Sequence, residues 1–298
     1  MIKATNLVKS FDDFTALDGL CTEITGGCIY GLVGPNGSGK STLMRLMSGI
    51  YQPDGGSLVI DDEPVFENIK VKDRVFYLSD DIFFLPKATT DDMADFYEGI
   101  YSTFSREKYE TLKKFFPIDC KKRINNFIKG MRRQSALLTA LACNTDYLLM
   151  DEAFDGLDPV IRLMIKKLLA EEIANRGITV IITSHNLREL EDLCDQIGLI
   201  HKGKLLLEKD LDELKFGFCK VQAVYSTDVD WAATGLNILQ KNQRGSVTSL
   251  LVRGTADDTL ETLQSLDPIF CEVVSLTLEE VFIGEMEAVG YDYNNLIL

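Results

Sequence analysis

The sequence predicts an α/β fold with a mostly parallel sheet, an antiparallel β subdomain, a helical subdomain and a small C-terminal α+β domain. Three observations support this class. Short apolar strands alternate with amphipathic helical segments between residues 28 and 209, as in parallel sheets with helical crossovers. A glycine-rich turn separates one such strand from one such helix. After residue 210 the pattern restarts at a smaller scale and the chain becomes more acidic, which predicts a domain boundary.

The glycine-rich turn has the sequence GPNGSGKST at residues 34–42 and fits the pattern G-x-x-x-x-G-K-S/T. An apolar strand at 28–33 precedes it, and a helix carrying Ile50 on its apolar face is predicted after it. This arrangement directs backbone N–H groups and the positive end of a helix dipole at one point, which suits phosphate. The turn therefore predicts a P-loop NTPase, with Lys40 at the β- and γ-phosphates and Ser41 on Mg²⁺. The predicted binding residues are Gly34, Asn36, Gly37, Ser38, Gly39, Lys40, Ser41 and Thr42.

Other segments complete the first domain. Residues 2–8 and 20–24 predict an antiparallel hairpin. Residues 89–122 predict a helical insert, with one helix from Thr90 that includes Ile100 and a second from Ser105 towards Phe116. The remaining predicted strands are 57–60, 74–78, 147–150, 178–183, 197–200 and 205–207, and further helices are predicted after residue 126 and at 158–175 and 187–194.

The predicted domains are an ATPase domain at 1–210, a small acidic α+β domain at 211–290 and a tail at 291–298. Within the first, the helical subdomain covers about 89–135. Residues 210–298 contain 15 acidic and 5 basic residues, and the whole chain has a formal net charge of −15. In the second domain, strands are predicted at 220–225, 237–241, 249–252 and 270–276, and helices at 259–265 and 278–286.

Two carboxylates and a histidine follow strands of the predicted sheet. The strand at 147–150 ends in Asp151 and Glu152, and the strand at 178–183 is followed by His185. In P-loop NTPases the strand-end Asp holds Mg²⁺, usually through water, and the next residue can polarise the attacking water. The imidazole of His185 is placed to hydrogen-bond the γ-phosphate or that water. Phe11 has two interpretations, an aromatic face for an adenine ring or an ordinary core or turn residue.

The composition argues against several other classes of protein. An acidic chain repels phosphate backbones, so DNA or RNA binding is disfavoured. No stretch approaches 18 uninterrupted apolar residues, and the first residues lack the apolar segment of a secretion signal. The seven cysteines occur singly, without a C-x-x-C pair, which predicts reduced thiols in a cytoplasmic protein.

The glycine-rich turn, Asp151-Glu152, the DGLD segment at 155–158 and Thr183-Ser184-His185 occur in an order and spacing that resemble the nucleotide-binding domain of an ABC transporter. The resemblance covers residues 1–209. It implies that Phe11 stacks on adenine, that Glu152 is the catalytic glutamate and His185 the switch histidine, and that Asp158 belongs to the D-loop. It also implies ATP and Mg²⁺ as cofactors.

Two positions depart from the family pattern. Asp80 falls where the family has the Q-loop glutamine, and we expect it to reach Mg²⁺ or its waters. The signature LSGGQ aligns with residues 127–131, so Ile128 replaces the serine that donates to the opposite subunit's γ-phosphate. Gly130 and the backbone behind it retain N–H donors. Loss of one charge-assisted donor costs roughly 1.5–3 kcal/mol, which predicts slow or partner-dependent hydrolysis.

The resemblance implies an ATP-hydrolysing subunit of a membrane exporter, located at the inner face of the cell membrane. Its expected partners are a transmembrane permease subunit and a second nucleotide-binding domain, in a homo- or heterodimer. The acidic C-terminal domain resembles those of bacterial exporter subunits for antimicrobial or toxic peptides and for bacitracin-type resistance. One alternative is a nucleotide-binding regulatory subunit with weak hydrolysis. A soluble ABC-type protein acting on DNA or ribosomes is disfavoured, since neither a coiled-coil insert, a second ATPase half nor a basic surface is present in the sequence.

Overall fold

The computed structural model describes residues 1–282. The chain divides into two compact units, Met1–Glu208 and Lys209–Leu298, and the predicted boundary at residue 210 lies next to this division. Of the helix predicted at 278–286, the structure describes residues 278–282, which are helical. The predicted tail at 291–298 lies outside the described residues.

An antiparallel sheet opens the first unit. Strands β1 (Ile2–Phe11) and β2 (Phe14–Ile24) form the predicted hairpin, in which Ile2 pairs with Ile24 and Phe11 pairs with Phe14. Strands β4 (Gly55–Ile60) and β5 (Glu63–Pro64) extend the sheet in the order β2-β1-β4-β5. The apolar side chains of this sheet, among them Leu7 and Leu20, contribute to the core of the unit.

The second sheet has six strands and positions the site. Its members are β3 (Ile29–Val33), β6 (Val75–Leu78), β7 (Tyr147–Asp151), β8 (Thr179–Ser184), β9 (Gln196–His201) and β10 (Lys204–Asp210), in the order β10-β9-β3-β8-β7-β6. The pairs β3–β8, β3–β9, β6–β7 and β7–β8 are parallel. Val33 pairs with Ser184, and Asp151 pairs with Thr183, so β3, β7 and β8 end at the same edge. Strands β3, β7 and β8 are wholly buried, which explains their continuous apolar runs.

Four helices accompany these sheets: α1 (Lys40–Met47), α2 (Ile69–Asp73), α6 (Pro159–Arg176) and α7 (Leu187–Glu191). The α6 helix begins as predicted, because the Asp158 side chain caps it and a proline occupies its first turn. Two predicted helix ends are wrong. The α1 helix stops before Gly49, whose φ of +68° is left-handed, and leaves Ile50 exposed. The α7 helix ends at Glu191 and does not reach residue 194.

The helical subdomain contains α3 (Thr90–Glu98), α4 (Arg106–Leu112) and α5 (Lys129–Ala142). Thr89 and Asp92 form a capping box at the start of α3, and Ser105 caps α4. Helix α4 ends well before Phe116, and Ile100 lies exposed beyond α3, so both of those predictions are wrong. A buried hydrogen bond of 2.8 Å joins the hydroxyls of Thr90 and Ser135 and ties α3 to α5.

The second unit has an α+β architecture. It contains α8 (Leu211–Phe216), β11 (Phe218–Val224), β12 (Asn237–Arg244), β13 (Val247–Arg253), α9 (Ala256–Gln264) and β14 (Phe270–Val274). Its antiparallel sheet has the order β12-β13-β11-β14. Val221, Leu250 and Val252 from the sheet pack with Leu263 of α9 in a separate small core.

Candidate functional site

The glycine-rich loop connects the end of β3 to the start of α1, as predicted. Two of its glycines are required by close backbone contacts. A Cβ at Gly34 would lie 2.1 Å from the Ile200 carbonyl oxygen. Gly39 has a φ of +113°, and a Cβ there would lie 2.7 Å from the Ala16 carbonyl oxygen. These contacts fix a tight loop whose last residues open a helix, the geometry that binds an anion through backbone N–H groups.

Lys40 is the charged group within the loop. Its side chain is 6% exposed, and its Nζ donates to the carbonyls of Gly34 at 2.6 Å and Pro35 at 3.2 Å. Burial lowers the pKa of Lys40, while the nearby Glu152 and Asp151 carboxylates act in the opposite direction. The Ser38 hydroxyl is buried and has no hydrogen-bond partner among the atoms that the structure describes. The loop therefore holds a buried cation and an unsatisfied hydroxyl, which suits an anionic ligand.

A cavity of about 240 Å³ lies against this loop. Most of the predicted nucleotide-binding residues meet there. The predicted residues that line it are Asn36, Gly37, Gly39, Lys40, Ser41, Thr42, Asp80 and Glu152. Phe14 and Ala16 of β2 also line it and were not predicted.

Asp151 lies at the end of β7 and is 2% exposed. Its Oδ1 accepts from the Thr183 hydroxyl at 2.6 Å, and its Oδ2 accepts from the Tyr77 hydroxyl at 3.1 Å. Burial and the Asp151 charge raise the pKa of Tyr77, so this phenol remains a donor. The two hydroxyls fix the orientation of the carboxylate that was predicted to hold Mg²⁺.

Glu152 follows β7 with a φ of +49°, a left-handed conformation that is uncommon for a residue with a side chain. Its amide donates to Thr183, to the hydroxyl at 3.0 Å and to the carbonyl at 3.2 Å. Its Oε2 lies 2.9 Å from Nδ1 of His185. The structure thus brings together the predicted catalytic glutamate and the predicted switch histidine, and it places the glutamate beside the Lys40 loop.

A buried arginine of α5 joins the segments around Glu152. The Arg133 side chain is 2% exposed, and its Nη2 donates to Oδ1 of Asp80 at 2.7 Å. The same guanidinium donates to the carbonyls of Asp80, Glu152 and Asp155. The carboxylate of Asp80 therefore engages an arginine, and its assignment as a metal ligand stays a prediction.

Three further predicted residues lie away from the cavity lining. Phe11 packs edge-on against Tyr51, with ring centroids 5.3 Å apart. Asp158 uses its carboxylate to cap α6, accepting from two backbone amides at 3.0 Å. Gly130 lies in the first turn of α5, where a Cβ would be 2.9 Å from the Gly156 carbonyl oxygen. Their nucleotide-binding roles stay predictions.

Several contributors to the site gave weak signals in the sequence. Phe14 pairs with Phe11 across the two-residue hairpin turn, and the sequence does not indicate that Phe14 rather than Phe11 lines the cavity. Thr183 was part of the predicted strand, but its two hydrogen bonds depend on the β7–β8 register. Arg133 lies in the helix predicted after residue 126, where the periodicity indicates its burial but not its partners.

Comparison with known proteins identifies the class to which this fold and site belong. The family model described as ABC transporter matches residues 17–155. The chain is 32% identical over 285 residues to the ABC transporter ATP-binding protein YtrB of Bacillus subtilis (strain 168), covering 96% of this chain and 98% of that protein. The chain therefore belongs to the ABC transporter ATP-binding proteins: it is an ATPase and the ATP-binding subunit of a transporter.

Two other similarities extend this result. The Bacitracin transport ATP-binding protein BcrA of Bacillus licheniformis is 31% identical over 218 residues, covering 72% of this chain and 71% of that protein. The solved dimeric structure of MJ0796, a bacterial ABC transporter cassette, has a TM-score of 0.62 and 22% identity, covering 71% of this chain and 99% of that one. At that identity the structural likeness supports the fold. The helices described between residues 1 and 282 include none with the length and hydropathy of a membrane span.

Proposed function

We propose that the chain binds ATP with Mg²⁺ and that Glu152 activates the water that attacks the γ-phosphate. The observation that carries this proposal is the contact of 2.9 Å between Glu152 and His185, beside the cavity of the Lys40 loop. His185 orients the carboxylate that removes a proton from water. Lys40 and the loop N–H groups stabilise charge on the transferring phosphoryl group.

The residues around the loop fit a Mg²⁺ ion that also binds phosphate. In the described part of the chain there is no group of three or more His, Cys, Asp or Glu side chains able to hold a metal. Mg²⁺ commonly takes one or two carboxylates and completes its shell with water and substrate phosphates. Ser41 lines the cavity, and the Asp151 carboxylate is held at the nearby strand end. These two residues would hold the ion, which supplies charge neutralisation at the β- and γ-phosphates.

The proposed assembly pairs two nucleotide-binding domains and a transmembrane permease. Gly130 and the exposed Ile128 do not line the chain's own cavity, which supports a contact with the nucleotide of a second subunit. The MJ0796 cassette forms a dimer in its solved structure, which agrees with this arrangement. The two nucleotide-binding domains lie at the inner face of the membrane, and their closure on ATP would change the conformation of the permease. The mass of the ATP-bound complex and of its separated subunits would distinguish a homodimer from a heterodimer.

We assign export of peptides or antimicrobials as the transport function. The likeness to BcrA, a bacitracin transport ATP-binding protein, supports this assignment. A permease encoded beside this chain, co-expressed with it, is expected to co-purify and to protect cells against such a compound. A complex that forms but leaves sensitivity to peptide antibiotics unchanged contradicts the assigned substrate.

A second candidate is a regulatory subunit with weak hydrolysis in a heterodimeric transporter. Ile128 favours it, because the side chain at the signature position is 72% exposed and has no hydrogen-bond donor. Calorimetry with ATP and Mg²⁺ is expected to show binding, and phosphate release by the isolated chain is expected to be slow. Fast release by the isolated chain contradicts the hypothesis of weakened closure. Absence of ATP binding contradicts both candidates.

A further inference from the structure

Arg133 is a buried cation whose partners all lie beside the catalytic residues. The guanidinium is almost inaccessible, and a buried charge persists only when it is paired and hydrogen-bonded. Its counter-charge among the described residues is Asp80, at 2.7 Å. Its other acceptors are the main-chain carbonyls of Asp80, Glu152 and Asp155. One side chain of α5 thus connects the segment at residue 80 with the segment that follows β7.

The connection matters because the Glu152 backbone is in a strained conformation. A left-handed residue with a Cβ persists where the surrounding structure determines it. Thr183 holds the amide of Glu152, and His185 contacts its carboxylate. Arg133 holds its carbonyl and, through the Asp155 carbonyl at 3.1 Å, the end of the same turn. Without Arg133, the Glu152 carbonyl keeps the Asp155 amide, which donates to it at 3.2 Å, and loses the charged donor that ties this turn to α5.

Asp80 is suited to anchor this arginine. It lines the cavity of the Lys40 loop and also a second cavity of about 420 Å³, which Phe84, Phe127 and Arg132 line as well. A carboxylate supplies a full counter-charge to a buried guanidinium, which a neutral amide does not. The departure from glutamine at position 80 is therefore matched by a buried arginine 2.7 Å away.

We propose that Arg133, anchored by Asp80, is a positioning residue that fixes Glu152 for ATP hydrolysis. The inference rests on the proposed role of Glu152 as the group that activates water. It also gives α5 a physical connection to the catalytic carboxylate. A displacement of α5 that moves the guanidinium moves the carbonyl of Glu152 with it. A misplacement of about 1 Å at a reacting group is sufficient to slow chemistry by roughly 10²-fold.

The test compares five variants of the full chain: Arg133→Ala, Arg133→Lys, Asp80→Asn, Arg132→Ala and the double variant Asp80→Asn/Arg133→Ala. Arg132 is the matched control, because it is the adjacent arginine and donates instead to the Asn125 carbonyl. Phosphate release at saturating ATP, ATP affinity by calorimetry and melting temperature are measured for each. We expect Arg133→Ala to lose about 10²-fold in kcat, with ATP affinity within about threefold of wild type. Arg132→Ala is expected to match wild type.

The lysine variant separates positioning from simple charge burial. Lysine keeps the charge for Asp80 but lacks the planar fork that spans several acceptors. Arg133→Lys is therefore expected to recover most of the melting temperature while kcat stays low, and it carries the test if Arg133→Ala does not fold. Asp80→Asn combined with Arg133→Ala is expected to lose no more kcat than Arg133→Ala alone.

The two possible failures are distinguishable. A wild-type chain that binds ATP but releases no phosphate in its complex with the permease contradicts the proposed role of Glu152. A wild-type chain that hydrolyses ATP, together with an Arg133→Lys variant of equal kcat, overturns the positioning role alone.

Discussion

The hydroxyl of Thr183 holds both carboxylate-bearing residues, and we expect Thr183→Val to impair stability and hydrolysis together. The hydroxyl donates to Asp151 at 2.6 Å and accepts from the Glu152 amide at 3.0 Å, within a fully buried strand. Valine preserves the shape and removes both hydrogen bonds. Asp151 then keeps the Tyr77 hydroxyl, and the Glu152 amide keeps the Thr183 carbonyl at 3.2 Å. The main cost is therefore one hydrogen bond to a buried charge, about 1.5–3 kcal/mol.

The assay must report on the six-stranded sheet. The single tryptophan, Trp231, lies in the second unit, so its fluorescence does not report on β7 and β8. Hydrogen exchange of the β7 and β8 amides at increasing urea gives the local free energy of unfolding. Phosphate release at saturating ATP gives the catalytic loss, which we expect to be about 10²-fold because the Asp151 carboxylate loses one of the two hydroxyls that orient it.

Thr179→Val is the matched control at the other end of the same strand. Its hydroxyl accepts a neutral hydrogen bond from the Gly27 amide at 3.0 Å. Its loss is expected to cost about 0.5–1.5 kcal/mol and to leave phosphate release unchanged. If Thr183→Val is no less stable than Thr179→Val, or if it hydrolyses ATP at the wild-type rate, the reasoning about these hydrogen bonds is refuted.

Three further predictions concern the glycine-rich loop, the ion pair between Lys129 and Asp155, and the adenine site. Gly39→Ala is expected to abolish ATP binding in calorimetry, because a Cβ there would lie 2.7 Å from the Ala16 carbonyl oxygen. A Cβ at Gly37 would have no atom within 4 Å, so Gly37→Ala is expected to lose only about 1 kcal/mol of stability, the cost of a left-handed backbone for alanine. Equal affinities for the two variants would contradict the steric argument. The hydrogen bond from Lys129 lowers the pKa of Asp155, so the pair stabilises the fold above about pH 4 and this contribution disappears as the pH falls through the lowered value. Asp155→Asn is therefore expected to cost less than about 1 kcal/mol of stability at pH 7, since the pair is exposed. It is also expected to reduce the pH dependence of the urea midpoint below about pH 4. If the midpoint of the variant changes with pH as steeply as that of wild type, this pair is not the source of the dependence. Phe11→Ala is expected to weaken ATP binding by about 1–3 kcal/mol while leaving tripolyphosphate binding unchanged, and equal losses for both ligands would argue against adenine stacking.

The sequence predicted the structure best where candidate site residues directly follow an apolar strand. The glycine-rich turn and the apolar runs before Asp151 and His185 predicted strands that end at one edge of a parallel sheet, and the structure has this arrangement. The fold class was predictable for the same reason, because buried parallel strands require continuous apolar residues.

Other features depend on contacts that a local pattern does not contain. Helix α1 ends where Gly49 turns left-handed, although the apolar period continues to Ile50. The short elements α2 and β5 are too short to show a periodicity: Asn68 caps the five-residue α2, and β5 is defined by its pairing with β4. The pairing of Arg133 with Asp80 joins residues far apart in the chain, so neither residue alone indicates the contact.

Phosphate release by wild type and Glu152→Gln, at saturating ATP and Mg²⁺ in the complex with the permease, tests the central claim most directly. Glutamine keeps the size and hydrogen-bonding reach of the side chain but does not accept a proton from water. General-base catalysis contributes about 10²–10⁴-fold, so we expect a loss of that size with ATP affinity retained. Equal rates for the two proteins would show that Glu152 does not activate the attacking water.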